Sequence, residues 1–378
     1  MNYELKLFDR PLLHFSADKD SSDPGYVVTW IDDDARELLP HGMEPTARGL
    51  GRWVEHRSIP KNRAFVNNLL ARSGLSVNRP LGIIAVCKGL SLNDSYWVCE
   101  EGSGESFARV NLYQNRMSKL LGGIAFTGYG SSPRSGFSSS PEFTTNGMLP
   151  KCWRRMSGTI HLYKGGTTGA VNAGFEPYSE YYAADIAHSF GANAVDYELH
   201  KFKGVLCSSC ELFTDIDHSY VPMANVVTSG GFGAVVDFCK GMGEEYYQSL
   251  SDMLAFDAII CNTDRHYNNF GFIADSHTNE LLSFAPLFDH GNSLFHQAFG
   301  DDWSSDEALS AYASAFAPRV YDDFFATAKT YMTHETRAKV RRMLAFEFSR
   351  GPRLDVKQPR LRKIERQVRM RAKRLLEA

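Results

Sequence analysis

The chain has 378 residues, of which 43% are hydrophobic and 22% charged, and its formal net charge is −3. This composition excludes a wholly disordered chain, and no apolar run approaches the roughly 20 residues of a membrane span. The opening segment MNYELKLFDRPLLHF lacks the basic end and unbroken apolar stretch of a signal peptide, so we expect a cytoplasmic protein without membrane contacts.

The seven cysteines are scattered along the chain, unlike the paired framework of a small secreted protein, and we interpret them as reduced thiols. Cys207 and Cys210 form a lone CxxC with no second pair nearby. A strand of buried small side chains is therefore favoured at this position over a metal site.

The N-terminal third predicts short strands and one clear helix, with nothing that resembles a catalytic motif. Residues 64–75 predict a helix with Phe65, Leu69 and Leu70 on its apolar side. Residues 80–102 predict a buried strand, a turn and an edge strand.

The middle of the chain predicts a flexible loop followed by alternating strands and one helix. Residues 122–147 are rich in Gly and Ser, which is typical of a linker or a mobile loop. Residues 148–156 and 159–164 predict two strands joined by a turn, residues 176–190 predict an amphipathic helix with proline at its start, and residues 204–210 predict another strand.

Three polar residues stand at suggestive positions around a predicted hairpin. A helix over 246–261 leads into CNTDRHYNNFGFIADSHTNELLSFAPLFDHGNSLF, which contains Asp264, Asn269 and Asp289. The strands FGFI and LLSF are predicted to pair, so the loops at their open ends should lie side by side. Two carboxylates and an amide oxygen are hard ligands suited to Mg²⁺.

Such a set of groups suits phosphoryl transfer, in which the protein mainly positions a triphosphate and neutralises its charge. Lys164 is the predicted phosphate-binding lysine, and Lys151 is its competitor because it lies nearer the Gly/Ser-rich loop. Glu180 is better placed than Glu176, at the helix start, to hold the chosen lysine.

The strand that ends at residue 210 runs into Glu211 and Phe213. If the chain crosses here between two lobes, this segment is a hinge whose backbone groups would bind the adenine of the nucleotide. An ordinary core strand and turn fits the same residues.

The segments NTDRHYNNFGF and APLFDHGNS resemble the catalytic and metal-binding loops of HipA-like serine/threonine kinases, the toxin kinases of toxin–antitoxin pairs. The resemblance implies that Asp264 is the catalytic base and that Asn269 and Asp289 bind the metal. ATP and Mg²⁺ are the implied ligands, and the metal loop reads Asp-His-Gly where conventional kinases have Asp-Phe-Gly.

The same resemblance implies a target and a partner. The substrate would be a protein of the translation machinery, such as an aminoacyl-tRNA synthetase, and a separate DNA-binding antitoxin would bind the kinase. A serine of the phosphate loop would be autophosphorylated, and Ser138, Ser139 and Ser140 are the candidates.

The predicted fold class is α+β: a two-lobed protein-kinase-like fold with a small antiparallel lobe, a mainly helical lobe and an N-terminal accessory α+β domain. The predicted boundaries are 1–125 for the accessory domain, 126–215 for the small lobe and 216–378 for the large lobe. The order of loop, hairpin, helix and strand in the middle segment is that of a kinase small lobe.

Residues 337–378 carry 15 Lys/Arg and 4 Asp/Glu, so the C-terminal end is strongly basic. Leu361, Ile364, Val368 and Leu375 recur at helical spacing. A packed helix with a solvated basic back is favoured over direct binding of nucleic acid or of a partner protein.

Three alternatives to an active protein kinase stay open. One is a pseudokinase or binding module, and another is a lipid kinase, because DRHxxN also resembles phosphoinositide kinases. His290 and His296, with Asp264 and His266, permit a metal-dependent hydrolase, although a tight HxH or HExxH pair is missing. We interpret His266 as a loop brace and Asp257 as a buried acceptor for the loop backbone.

Overall fold

A computed structural model describes residues 1–130 and 140–377 of the chain. The chain divides into two compact units. Unit 1 comprises Met1–Lys164, Glu211–Val221 and Ile273–Leu282, and unit 2 comprises Gly165–Cys210, Pro222–Phe272 and Ser283–Ala378. The three functional segments predicted from the sequence stay a prediction.

Runs of strands and runs of helices follow one another along the chain, as expected for the α+β class. The strands are β1 (Asn2–Leu7), β2 (Arg10–Ser16), β3 (Val27–Ile31), β4 (Tyr96–Glu100), β5 (Lys151–Met156), β6 (Thr159–Gly165), β7 (Glu198–Phe202), β8 (Val205–Glu211), β9 (His218–Pro222), β10 (Gly271–Asp275) and β11 (Leu281–Phe284). They form sheets of order β3-β2-β1-β4, β5-β6-β8-β7 and β11-β10-β9.

The α-helices are α1 (Ala47–His56), α2 (Val66–Arg72), α3 (Pro80–Cys87), α4 (Phe107–Val110), α5 (Lys119–Thr127), α6 (Glu176–Phe190), α7 (Met223–Val226), α8 (Gly231–Met242), α9 (Glu244–Ile260), α10 (Asp306–Ser314), α11 (Phe324–Tyr331), α12 (His334–Arg342) and α13 (Gln358–Leu376). Short 3₁₀ turns lie at Asp33–Leu38, Pro141–Phe143, Gly300–Trp303 and Met343–Ala345. In the described part of the chain, no helix has the length and apolar character needed to cross a membrane.

Unit 1 has its own apolar core. Successive strand residues face opposite sides of a sheet, and accordingly Tyr3, Leu5 and Leu7 of β1 are buried. Strand β1 pairs antiparallel with both β2 and β4. Apolar side chains of α1, α2, α3 and α5 join the same core, so this unit can bury a substantial apolar surface.

Unit 2 is mainly helical, and its last helix is packed as predicted. Leu361, Ile364, Val368 and Leu375 of α13 are all buried. Arg371 turns inward as well, and its Nε donates to the carbonyl of Ala258 at 2.6 Å. The described C-terminal helix therefore lies against the body of its own unit, as the favoured interpretation required.

The residues predicted as a buried strand form helix α3 instead, so this prediction is wrong. Pro80 occupies the first turn of the helix, where its missing N–H costs no hydrogen bond. A short apolar run buried on most sides has the same pattern in a strand and in a helix, which explains the error.

Three other predictions need correction. The predicted helix over 64–75 starts later, at Val66, because Phe65 has a left-handed φ of 60° and lies outside the helix. The Gly/Ser-rich stretch is not a loop throughout: α5 runs to Thr127, and the turn at Pro141–Phe143 is buried. Helix α6 has the predicted bounds, but it is buried on nearly all sides and is not amphipathic.

Candidate active site

The predicted catalytic loop joins α9 to β10 and is closed by its own hydrogen bonds. Helix α9 ends at Cys261, which has a left-handed φ of 54°. The Asp264 N–H donates to Asn262 Oδ1 at 3.2 Å. Asn269 Nδ2 donates to the Asp264 carbonyl at 3.1 Å, and the Asn269 N–H donates to the His266 carbonyl at 2.7 Å. The loop thus holds Asp264 and Asn269 in fixed relative positions.

Arg265 connects this loop to the segment before Asp289. Its side chain is fully buried and donates to both oxygens of Asp257, at 2.8 and 2.9 Å. The Nη1 atom donates to the carbonyls of Asn269 at 2.9 Å and Phe288 at 2.8 Å. Burial lowers the pKa of Arg265, but the Asp257 carboxylate outweighs burial and the pKa is raised. The arginine is therefore a charged tie between the two loops.

A second connection between the two loops runs through Asn292, on the other side of Asp264. The Thr263 N–H donates to the Asn292 carbonyl at 3.1 Å, and Asn292 Nδ2 donates to Asp264 Oδ2 at 2.9 Å. The two loops lie side by side, as the predicted hairpin requires. The roles given to their side chains stay predictions.

The other oxygen of Asp264 also has a partner. Arg319, which follows α10, donates from Nη1 to Asp264 Oδ1. The Arg319 side chain is 58% exposed and that of Asp264 is 27% exposed, so the pair is reachable by solvent. The sequence offered no signal for this contact, because the two residues are 55 positions apart.

The metal predicted between Asn269 and Asp289 would meet oxygen ligands. Because Asn269 Nδ2 is used in the bond to Asp264, Oδ1 is the amide atom that can bind a cation. Asp289 has a left-handed φ of 59°, and its N–H donates to the hydroxyl of Tyr197 at 3.0 Å. An amide oxygen and a carboxylate fit Mg²⁺ by their chemistry.

His266 makes a bond of the kind predicted for a loop brace, since its Nδ1 accepts the N–H of Asn268 at 3.2 Å. Burial lowers the pKa of His266. Asp257 needs correction: its side chain accepts from the side chains of Arg265 and Asn262, and not from the loop backbone. Among the described residues, no three His, Cys, Asp or Glu side chains group as a metal site.

The two candidate lysines occupy paired positions of neighbouring strands. Lys151 of β5 and Lys164 of β6 are in register, and both are buried. Lys151 Nζ donates to the Asn146 carbonyl at 2.7 Å. Lys164 ends one segment of unit 1, whereas Glu180 belongs to unit 2, so the predicted ion pair between them stays a prediction.

Helix α6 places two buried glutamates beside the metal loop. A Cβ added to Gly291 would lie 3.3 Å from Glu176 Cβ and 3.7 Å from Glu180 Oε1. Glu176 accepts the N–H of Thr167 at 3.2 Å, and Glu180 accepts the hydroxyl of Ser208. The glycine therefore allows the loop to approach the helix closely.

The structure describes both hinge candidates but only one of the three serine candidates. Glu211 ends β8 and is exposed, while the ring of Phe213 contacts that of Tyr220 with centroids 5.7 Å apart. Their binding of adenine stays a prediction. Ser138 and Ser139 lie outside the described residues. Ser140 is buried, and its Oγ has no hydrogen-bond partner among the residues that the structure describes.

Comparison with known proteins places this geometry in a family context. No family model matches the chain. The serine/threonine-protein kinase CtkA of Helicobacter pylori is 28% identical over 147 residues, which are 35% of this chain and 44% of CtkA. The alignment therefore spans less than half of that relative's length.

Two solved structures are similar. HipA of Shewanella oneidensis MR-1, in a complex with HipB and operator DNA, covers 99% of this chain and 97% of its own, with 12% identity and a TM-score of 0.57. The chain has the HipA-like kinase fold. H. pylori CtkA covers 60% of this chain and 91% of its own, with 17% identity and a TM-score of 0.45.

The HipA-like fold confirms the α+β fold class predicted from the sequence. From the sequence, the likeness to HipA-like kinases was expected over roughly residues 138–295, and only loosely over the first 120 residues. The structural match extends over nearly the whole chain, including the N-terminal sheet. The N-terminal sheet therefore belongs to the part of the chain that matches HipA, while its role as an accessory domain stays a prediction.

Proposed function

We propose that this chain is an ATP-dependent serine/threonine protein kinase of the HipA-like type that acts in the cytoplasm. The observation that carries the proposal is the buried Arg265, whose hydrogen bonds to the Asn269 and Phe288 carbonyls hold the Asp264 loop against the Asp289 loop. The sequence similarity to a kinase and the HipA-like fold add support.

In this proposal Asp264 acts on the acceptor hydroxyl. The hydroxyl donates its hydrogen bond to the Asp264 carboxylate, which orients the oxygen toward the γ-phosphorus of ATP. The new bond joins that oxygen to phosphorus, the bond from phosphorus to the β,γ-bridging oxygen breaks, and ADP leaves. The acceptor proton passes to the carboxylate. The acceptor hydroxyl competes with Arg319 for Asp264 Oδ1, and because the Arg319 side chain is solvent-exposed, its displacement costs little.

Asn269 and Asp289 are the residues that would hold Mg²⁺. When bound, the ion would neutralise charge on the phosphate oxygens. The tie through Arg265 fixes both residues relative to Asp264, so the base and the metal ligands keep their spacing. Lys164, with Lys151 as its alternative, would contact the phosphates, Glu180 would hold the lysine, and the segment from Glu211 to Phe213 would meet adenine.

The target and partner belong to the proposal as well. By family resemblance, the acceptor is a protein of the translation machinery, such as an aminoacyl-tRNA synthetase. The solved HipA structure contains HipB and operator DNA, and by analogy a separate DNA-binding antitoxin would bind this chain. The basic side chains of α13 that bond to its own unit give no support for direct nucleic-acid binding.

The direct test measures transfer of labelled phosphate from ATP in the presence of Mg²⁺, to the chain itself and to proteins of a bacterial lysate. Asp264→Asn is expected to reduce transfer by about 10²–10⁴, the usual range for a general base. Asp301→Asn, in an exposed turn of the same unit, is the matched control and should retain full activity.

Unchanged turnover in Asp264→Asn would remove that residue from its role. ATP binding without any transfer by the wild type would instead support the pseudokinase alternative. Phosphoproteomics after controlled expression of wild type and Asp289→Ala would identify the target, and identical phosphosites in both would contradict the protein-kinase proposal. Transfer to a phosphoinositide in place of protein would establish the lipid kinase.

A further inference from the structure

Arg360 of α13 has a guanidinium group that is held in place by two aromatic rings of unit 2. Its guanidinium carbon lies 4.3 Å from the ring centroid of Phe175 and 4.1 Å from that of Trp303. The Trp303 ring is itself fixed, because its Nε1 donates to the Ala298 carbonyl at 2.7 Å. Contacts between a cation and ring faces stabilise the charge and leave the N–H edge of the guanidinium plane available to donate. The group is therefore oriented before any ligand binds.

The guanidinium of Arg360 has no hydrogen bond or ion pair to any residue that the structure describes. The first turn of α13 has no acidic side chain, and Asp302, next to Trp303 in the sequence, accepts the N–H of Phe299. Burial lowers the pKa of Arg360 to about 10, so the side chain keeps its charge near pH 7. A partly buried charge without a counter-ion is unfavourable, and an anion bound to it would recover that cost.

The N–H groups of Arg360 can be reached from solvent. The described polar atoms that are both unpaired and shut off from solvent do not include any atom of this side chain. Lys363 lies one turn further along α13, and its Nζ donates to the carbonyls of Trp303 and Ser304 and to no carboxylate in the part of the chain that the structure describes. Two cations one helical turn apart thus lack a described counter-ion.

Arg360 lies on the side of unit 2 that carries the candidate catalytic carboxylate. Burial lowers the pKa of His296, and the charge of Arg360 lowers it further. Burial raises the pKa of Tyr312 to about 12, and the charge of Arg360 opposes that rise. Both His296 and Tyr312 line a cavity of about 190 Å³ together with Asp264. The positive charge therefore acts on the surroundings of the proposed base.

The ligand of this site belongs to the acceptor and not to the nucleotide. The lining of the cavity includes Asp264, where the acceptor hydroxyl would bind, but not the predicted metal ligands Asn269 and Asp289. Four residues of extended chain span about 13 Å, so a peptide bound at Asp264 can extend from the cavity to Arg360. A guanidinium that donates through its edge matches the paired oxygens of a carboxylate or a phosphate.

We propose that Arg360 binds the carboxylate or phosphate group of a side chain of the protein substrate, within four residues of the phosphoacceptor Ser or Thr. Two N–H groups of the guanidinium donate to two oxygens of the anion, while Phe175 and Trp303 hold the guanidinium plane. This inference rests on the proposed kinase function and names its substrate class, which is proteins with an acidic or phosphorylated residue near the acceptor.

The test uses synthetic peptides with one central Ser in an alanine background and Glu, phosphoserine or Gln at each position from −4 to +4. Labelled phosphate transfer gives kcat and KM for each peptide. At one position Glu and phosphoserine should exceed Gln in kcat/KM by about tenfold or more, the worth of a charge-assisted hydrogen bond, and the gain should appear in KM. Fluorescence anisotropy of labelled Glu and Gln peptides, without ATP, measures binding independently of turnover.

Three variants assign the preference to Arg360. Arg360→Met removes the charge and keeps an unbranched apolar chain near the rings, so the Glu-to-Gln ratio of kcat/KM should fall close to one. Arg360→Lys keeps a charge without the two parallel donors and should lose most of the ratio. Arg362→Met is the matched control, because Arg362 is an exposed arginine of the same helix; it should retain the ratio. Melting temperatures show whether each variant is folded, and Arg360→Lys decides the test if Arg360→Met is not.

A preference for phosphoserine over Glu would identify a substrate that is already phosphorylated, and equal preference an acidic one; both support the site. Equal kcat/KM for Glu and Gln peptides at every position, with transfer that still requires Asp264, would overturn the anion site and leave the kinase function intact. No transfer to any peptide or protein, together with binding of Glu peptides that is lost in Arg360→Met, would overturn the kinase function and retain the site. An acidic preference that survives in folded Arg360→Met and Arg360→Lys would refute the inference.

Discussion

Replacing Arg265 should strongly lower the free energy of unfolding, because this side chain connects the two loops of the candidate site. Arg265→Ala leaves the Asp257 carboxylate in a fully buried position without its charge partner and removes the donors of the Asn269 and Phe288 carbonyls. Removing one member of a buried ion pair costs about 3–5 kcal/mol. Whole domains are stable by only about 5–15 kcal/mol, so the variant should lose a large fraction of its stability.

Urea denaturation followed by circular dichroism measures this loss. With a slope of roughly 3 kcal/mol per molar urea, the midpoint should fall by roughly 1 M or more. Arg366→Ala is the matched control, because the Arg366–Asp306 pair is partly exposed, with side-chain exposures of 40% and 26%. Its loss should cost no more than about 1 kcal/mol.

A second variant distinguishes the cost of the unpaired Asp257 charge from the loss of the hydrogen bonds to the loop carbonyls. Arg265→Met combined with Asp257→Leu removes both charges and fills the space with apolar side chains, so it should recover much of the lost stability. It should not recover phosphate transfer, since the two loop carbonyls still lack donors. The reasoning fails if Arg265→Ala shifts the midpoint no more than Arg366→Ala does, or if the double variant transfers phosphate at the wild-type rate.

Other predictions concern the metal loop, the catalytic carboxylate and unit 1. Gly291→Ala puts a methyl group 3.3 Å from Glu176 Cβ and should lower the melting temperature by a few degrees, whereas Gly233→Ala, in open space within α8, should raise it slightly. Arg319→Ala should raise kcat/KM for the acceptor by up to about fivefold, the worth of an exposed ion pair, and a tenfold loss would instead show that Arg319 assists transfer. Burial lowers the pKa of His41 in the folded chain below its usual 6.5. The unfolded chain therefore binds the proton more readily, and the free energy of unfolding falls as pH drops through 6.5. His41→Gln should therefore narrow the gap between melting temperatures at pH 7.5 and 5.5, and an unchanged gap would contradict this.

The elements nearest the site were largely predictable from the sequence. Helices α6 and α9 are too long for strands and α6 has Pro177 in its first turn, while clear turn residues indicate the β10–β11 hairpin. The hairpin alone predicted that the Asp264 and Asp289 loops would meet. Helix α3 was mistaken for a strand, because an apolar run that is buried all round has no periodic signal.

The contacts that fix the site could not be predicted in the same way. Arg265 stands beside Asp264 in the sequence. The neighbouring residues do not indicate whether this arginine is buried or exposed. Its burial and its bonds to Asp257 and Phe288 depend on how α9 meets the segment that contains Phe288. The contacts of Asn292 and Arg319 with Asp264 likewise join distant parts of the chain, and a single sequence contains no local signal for them.

The hydrogen bonds that Asn292 and Arg319 donate to the Asp264 carboxylate have a consequence for the hydrolysis of ATP by water. Asn292 and Arg319 each donate to one oxygen of this carboxylate. Under the proposed function, these two bonds compete with a water molecule near the triphosphate for the acceptor positions of Asp264. Under the proposed function, futile ATP hydrolysis stays slow, and ATP is consumed when a genuine acceptor displaces the arginine.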